Sequence, residues 1–126
     1  DAMKQCLVFS PQGLLVHSFA PYGHGKGGQV CNPTSVAVDR DGLVYVADTG
    51  NHRIQVYRHD TVSQTYSLLT SLGSVGSSIG QFLGPTGLAL SMDNLLAVAD
   101  CGNHRVQVFD LKALISTSIP LAVHDV

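Results

Sequence analysis

The sequence predicts an all-β fold built as an array of repeated antiparallel sheets. The segment Gly28 to Tyr57 returns fifty-two positions later as Gly80 to Phe109, and the two copies agree at sixteen of thirty positions. Each copy consists of short apolar runs separated by Gly, Asp and Asn, which are turn residues. All nine acidic residues are Asp, a residue of turns, whereas Glu favours helices. A long repeat with this pattern is typical of repeat architectures rather than of a single irregular domain.

Ten strands are predicted, the first two as a hairpin. Cys6 to Ser10 and Leu14 to Phe19 flank a Pro-Gln-Gly turn, and the glycine-rich segment Tyr22 to Gly28 is predicted to be a crossover. Leu43 to Ala47 is a continuous apolar run, which predicts a strand buried on both faces. The first repeat copy thus contains four predicted strands, at Ser35 to Asp39, Leu43 to Ala47, Arg53 to Tyr57 and Ser67 to Leu72.

The remaining segments follow the same order. Arg58 to Tyr66 is predicted to be a polar excursion, and Ser71 to Gly80 is a Ser/Gly-rich crossover. Leu111 to Ile115 has helical composition but is too short to predict a helix. The second copy contains predicted strands at Gly87 to Leu90, Leu95 to Ala99, Arg105 to Phe109 and, less sharply bounded, within Ser116 to Val123.

The repeated residues also resemble a known family. Pro33 to Asp39, then Asp41-Gly42 and the run VYVADTGNHRIQVY are similar to the NHL repeat, named after an Asn-His-Leu-like triplet that here begins at Asn51 and Asn103. In that family each unit is a four-stranded blade of a β-propeller, and about six blades close a ring. The resemblance implies an incomplete ring, in which residues 1–28 are the last two strands of a preceding blade plus a crossover, and residues 29–80 and 81–126 are one blade each. Because so few units cannot close a ring, we expect the chain to be part of a longer protein or, alternatively, to assemble with copies of itself.

The composition and charge indicate no general attraction of the chain to nucleic acid or to membranes. The net charge of -2 and the pI near 6.3 give no overall field that would attract nucleic acid or an anionic membrane. No apolar run approaches the length of a membrane span. Three cysteines form an odd set without metal-ligand spacing, which favours a reducing compartment, and we expect the protein to be cytoplasmic.

The most distinctive local motif is Asp48 to Arg53 (DTGNHR), which recurs as Asp100 to Arg105 (DCGNHR). An Asp at a strand end, a Gly able to adopt positive φ and an Asn that binds backbone groups make a tight turn, and the following Arg can pair with the Asp. Because the motif recurs in both copies, we interpret it as a structural turn network of Asp48, Asn51, Arg53, Asp100, Asn103 and Arg105.

Candidate binding residues lie at one end of the predicted blades. Alternate connections of an up-and-down sheet emerge on the same side, so the crossovers and the turns after the second strand of each blade share an end. Thr34 and Thr86 follow the proline that opens each innermost strand. In the peptide-amidating lyase of the NHL type, a zinc-binding His occupies that position, and Thr is a poor zinc ligand. The binding candidates are His24, Lys26, Thr34, His52, Arg53, Thr86, His104 and Arg105, and we expect neither catalytic residues nor a metal or other cofactor.

The resemblance implies a non-catalytic recognition platform. NHL propellers commonly end tripartite-motif or RING-type ubiquitin ligases, where they recruit protein substrates or bind RNA on one face. A protein partner is the first expectation and RNA the alternative, whereas a metal-dependent lyase is disfavoured by Thr34 and Thr86. The isolated chain is expected to self-associate, because an open ring leaves sheet faces and strand edges uncovered.

Overall fold

The computed structural model describes residues 6–25, 27–112 and 122–125, and of the last four it describes the backbone only. Lys26 and residues 113–121 therefore lie outside the described residues. The strands are β1 (Cys6–Phe9), β2 (Leu15–Phe19), β3 (Pro33–Val38), β4 (Val44–Asp48), β5 (Arg53–Asp60), β6 (Thr65–Leu72), β7 (Pro85–Leu90), β8 (Leu95–Asp100), β9 (Arg105–Asp110) and β10 (Ala122–Asp125). Two 3-10 turns, Thr49–Asn51 and Cys101–Asn103, follow β4 and β8.

The strands form three antiparallel sheets along the chain. The first sheet pairs β1 with β2, the second has the order β3-β4-β5-β6, and the third has the same order from β7 to β10. In each sheet, strands adjacent in sequence are adjacent in space. The prediction of an all-β fold with four-stranded antiparallel sheets is confirmed. No helix of the described residues is long and apolar enough to cross a membrane.

The core consists of two layers between the sheets, and β4 contributes to both. Val44 and Val46 face the layer shared with the first sheet, whereas Tyr45 and Ala47 face the layer shared with the third. Side chains alternate across a strand, so a strand covered on both faces must be apolar throughout. All five residues of β4 are buried. This burial confirms the prediction drawn from the continuous apolar run.

The second sheet differs from the predicted strand boundaries at its outer hairpin. The sequence predicts a polar excursion from Arg58 to Tyr66, but β5 continues to Asp60 and β6 begins at Thr65, so that His59 pairs with Tyr66 and only residues 61–64 form a turn. The Tyr66 ring stacks on Phe19 of the first sheet at 4.5 Å between ring centroids, and its distance to His59 is 4.6 Å. Aromatic packing across the two sheets explains why these polar-looking residues extend the hairpin.

Other boundaries shift by a few residues. The strands β3 and β7 begin at Pro33 and Pro85, each with a register irregularity after the proline, rather than two residues later. A proline is tolerated at the first residue of a strand because its missing N–H is not needed there. The last strand, Ala122–Asp125, overlaps the predicted range only at its end, and residues 116–121 are not described. Of the segment Leu111 to Ile115, only a turn at its first two residues is described.

Several apolar side chains remain exposed on the outward faces of this arrangement. Leu7 and Phe9 of β1 are about half exposed, and so are Val36 and Val38 of β3. In the third sheet, Leu88 and Leu90 occupy the positions of these two valines and pack against the core. These two positions are thus covered in the third sheet, whereas Val36 and Val38 of the second sheet remain exposed.

Candidate functional site

The crossovers and the 3-10 turns meet at one end of the sheets, which we call the crossover end. Asn51 Nδ2 donates to Gly23 O at 2.9 Å, and Asn103 Nδ2 donates to Gly76 O at 2.8 Å. Gly50 N also donates to Cys31 O at 2.8 Å. The repeat thus builds the same contact twice: a turn after the second strand of a sheet holds the crossover that enters that sheet.

The carboxylate of Asp48 is the centre of the first turn network. Asp48 is fully buried, with an exposed fraction of 0%. Oδ1 accepts from Cys31 N at 2.6 Å, and Oδ2 accepts from Asn51 Nδ2 at 2.9 Å and Arg53 Nε at 2.7 Å. A buried carboxylate requires this kind of full pairing, because an unpaired charge in the interior is costly.

Asp100 has the corresponding partners in the second copy. Its Oδ1 accepts from Leu83 N at 2.7 Å, and its Oδ2 accepts from Asn103 Nδ2 and Arg105 Nε, both at 2.9 Å. Burial tends to raise the pKa of Asp100. The hydrogen bonds from Leu83, Asn103 and Arg105, with the charge of Arg105, lower it more, so the pKa lies below its usual range.

Both arginines of the motif point inward. Arg53 Nη2 donates to Gln29 O at 2.8 Å, while Arg105 Nη2 donates to Ser78 O at 2.8 Å and to Gln81 O at 3.0 Å. The exposed fractions of the two arginine side chains are 11% and 12%. The guanidinium groups therefore bridge a buried carboxylate to crossover carbonyls, and little of either cation is presented to solvent.

The three histidines of the crossover end occupy different environments. His24 is exposed, and its Nδ1 lies 2.6 Å from Asn51 Oδ1. His52 is partly buried, and its Nδ1 accepts from Gly84 N at 2.9 Å. His104 is exposed. The neighbouring candidate Lys26 lies outside the described residues.

Thr34 and Thr86 contribute to the contact between the second and third sheets. Thr34 Oγ1 donates to Thr86 O at 3.0 Å, and Thr49 Oγ1 donates to Pro85 O at 2.6 Å. In the second copy, Cys101 replaces Thr49, and its Sγ lies 2.8 Å from Thr86 Oγ1. The described residues contain no group of three or more His, Cys, Asp or Glu side chains that could hold a metal ion.

Sequence reasoning missed a pair of buried glutamines beside the turn network. Gln55 and Gln107 are both fully buried, and their Nε2 atoms donate to Gln29 O and Gln81 O. Gln55 Oε1 also accepts from Ser71 Oγ. The available signal was an identical polar residue inside the same apolar strand of both copies.

Apolar side chains complete the exposed surface of the crossover end. Val75, Ile79 and Leu83 of the second crossover are 60%, 69% and 40% exposed, and Tyr22 of the first crossover is 39% exposed. The described surface of this end therefore combines apolar groups with imidazoles.

The three cysteines, Cys6, Cys31 and Cys101, are free. Burial, with a contribution from the charge of Asp48, raises the pKa of Cys6 to about 11.

Comparisons with known proteins agree with this architecture. The family model described as NHL repeat matches residues 30–57 and 82–109. NHL repeat-containing protein 2 of Gallus gallus is 34% identical over 107 residues, which is 79% of this chain and 14% of that protein. E3 ubiquitin-protein ligase TRIM71 of Rattus norvegicus is 48% identical over 46 residues, 36% of this chain and 5% of that protein.

A third similar protein is protein brain tumor of Drosophila melanogaster, 47% identical over 38 residues, 30% of this chain and 4% of that protein. The alignments with these three relatives thus extend over 14% of the relative's length at most.

Proposed function

Because the chain belongs to the NHL-repeat family, we propose that its crossover end is a non-catalytic surface that recruits a protein partner. The observation that carries the proposal is the inward orientation of Arg53 and Arg105, which are 11% and 12% exposed. With both guanidinium groups committed to Asp48 and Asp100, the described surface of this end exposes apolar side chains, imidazoles and neutral polar groups such as Ser74 and Ser78, with little cationic charge. Apolar and aromatic contacts supply most of the binding energy at protein interfaces.

RNA is the weaker candidate for this segment. Binding to phosphates requires exposed Lys or Arg side chains clustered on one face. Among the described residues, Arg40, Arg58 and Lys112 are exposed, but Arg40 lies in the turn after β3 and Lys112 follows β9, at the end opposite the crossovers. The charge distribution of the described chain therefore favours a protein partner.

The similarity to E3 ubiquitin-protein ligase TRIM71 supports a further proposal, that the chain is the substrate-recruiting part of a cytoplasmic ubiquitin ligase. In the same scheme, residues 29–80 and 81–126 are one propeller blade each, and residues 1–28 are the last two strands of the preceding blade with its crossover. The exposed apolar faces of β1 and β3 support self-association of the isolated chain.

Replacing Val75 and Ile79 together with Asp is expected to weaken partner binding about tenfold or more, because two exposed apolar contacts become charged. Binding is measured in cells as the amount of adduct formed by a photoreactive amino acid that replaces His104. The change should leave the melting temperature nearly unaltered, since both side chains are mostly exposed.

The matched control is Met92→Asp, at an exposed apolar residue of the opposite end. Protease-sensitive adducts that survive in Met92→Asp but disappear in the double variant are expected. Adducts that ribonuclease removes would indicate RNA, and adducts that persist undiminished in the double variant would contradict the proposal.

A further inference from the structure

The hydrogen bonds of Asn51 require a proton on Nδ1 of His24. Asn51 Nδ2 donates to Asp48 Oδ2 and to Gly23 O, both at 2.9 Å, and each of these oxygens can only accept. Asn51 Oδ1 is therefore the acceptor for the ring nitrogen of His24, 2.6 Å away. His24 must carry its proton on Nδ1, and a second proton on Nε2 leaves this hydrogen bond intact.

His52 requires the opposite arrangement. Its Nδ1 faces the backbone N–H of Gly84, which can only donate, so Nδ1 must be unprotonated. Gly84 lies directly before Pro85, the first residue of β7, and this bond therefore crosses from the second sheet to the third. A proton on Nδ1 would place two donors against each other and break the bond.

The backbone holds His52 in the position that this contact needs. His52 has φ 55°, a left-handed conformation that is uncommon outside glycine but enriched for His and Asn. His104 has the same φ of 55° in the second copy. The repeat thus places an equivalent histidine in the same backbone conformation.

Few uncompensated charges face the contact. On the side of the second sheet, Asp48 and Arg53 neutralise each other, and His24 reaches the same turn through Asn51. On the side of the third sheet, Asp100 accepts from Leu83, the residue before Gly84, and is neutralised by Arg105, while the Cys101 thiol follows Asp100. Lys26 of the first crossover lies outside the described residues.

We propose that His52 is a pH-sensitive latch between the second and third sheets, closed when Nδ1 is unprotonated and open when Nδ1 is protonated. Imidazole is the side chain that gains a proton on mild acidification, so acid opens the latch. A proton added to His24 at Nε2 leaves its bond to Asn51 intact. Acid therefore loosens the junction of the two sheets at the crossover end while the first crossover stays attached, whether or not a partner binds there.

Nuclear magnetic resonance of the full-length protein tests the latch directly. At pH 7.5 the ring nitrogens should show the proton of His52 on Nε2 and that of His24 on Nδ1. Exchange of the Gly84 amide, corrected for its intrinsic rate, should accelerate about tenfold between pH 7.5 and 5.5, as expected for the loss of one hydrogen bond of ordinary strength.

His52→Asn keeps a residue that tolerates positive φ and removes the titrating ring. In this variant the corrected exchange of Gly84 should no longer depend on pH, whereas His104→Asn should behave like the parent protein. A His52 ring with its proton on Nδ1 at pH 7.5, or Gly84 exchange that is independent of pH in the parent protein, would overturn the proposal.

Discussion

Replacing Asp48 with Ala is expected to lower the free energy of unfolding by about 3–5 kcal/mol, the cost of removing one partner of a buried ion pair. The substitution leaves the Arg53 guanidinium, the Asn51 amide and the Cys31 backbone N–H without their shared acceptor. Arg53 cannot turn to solvent without also losing its bond to Gln29 O. Both the second sheet and the crossover that enters it should therefore be weakened.

Urea denaturation of the full-length protein measures this effect. Asp93→Ala is the control, because Asp93 is exposed in a turn, and it should change the free energy of unfolding by less than about 0.5 kcal/mol. If Asp48→Ala unfolds like the parent protein but no longer binds its partner, the motif is a recognition site and its structural interpretation is wrong.

Phe82→Ala is expected to cost about 3–5 kcal/mol, as is usual for removal of a buried aromatic ring from a core. Phe82 is fully buried in the layer between the second and third sheets, with its ring centroid 5.7 Å from that of Phe109. The backbone N–H of Phe82 donates to Ser74 O, and its backbone O accepts from Gly76 N, so these two bonds hold the crossover together. The cavity would lie at the junction of the sheets, where neither can collapse freely to fill it.

Leu83→Ala is the matched control for Phe82→Ala, since the adjacent Leu83 is 40% exposed and should lose less than about 1 kcal/mol. Both free energies come from the same denaturation experiment. Equal losses for the two variants would contradict the assignment of Phe82 to the core between the sheets.

Much of the fold could be predicted because the same pattern of apolar and turn residues occurs in both repeat copies. The period identifies equivalent positions, and a continuous apolar strand such as Leu43 to Ala47 has one physical explanation, burial on both faces. The outer hairpin could not be predicted. His59 and Tyr66 look polar in sequence, and the Phe19 ring that packs on Tyr66 lies in a different sheet.

The pairing within the Asp48–Arg53 motif was predictable, whereas the orientation of its arginine was not. The motif indicates that Arg53 follows Asp48 closely enough to pair with it. Only the structure shows that Arg53 Nη2 reaches Gln29 O and that the cation is thereby held away from the surface. The sequence likewise contains His52 in the motif, but only the structure shows that its Nδ1 accepts from the N–H of Gly84 in the next crossover.

Recognition at the crossover end can be tested by hydrogen exchange of the full-length protein, measured with and without the partner captured by crosslinking. When the partner binds, we expect the backbone amides to exchange more slowly in the crossovers, residues 20–32 and 73–84, and in the adjoining turns at Thr49–Asn51 and Cys101–Asn103. Slower exchange confined to the turns at the opposite end, residues 39–43 and 91–94, would contradict it.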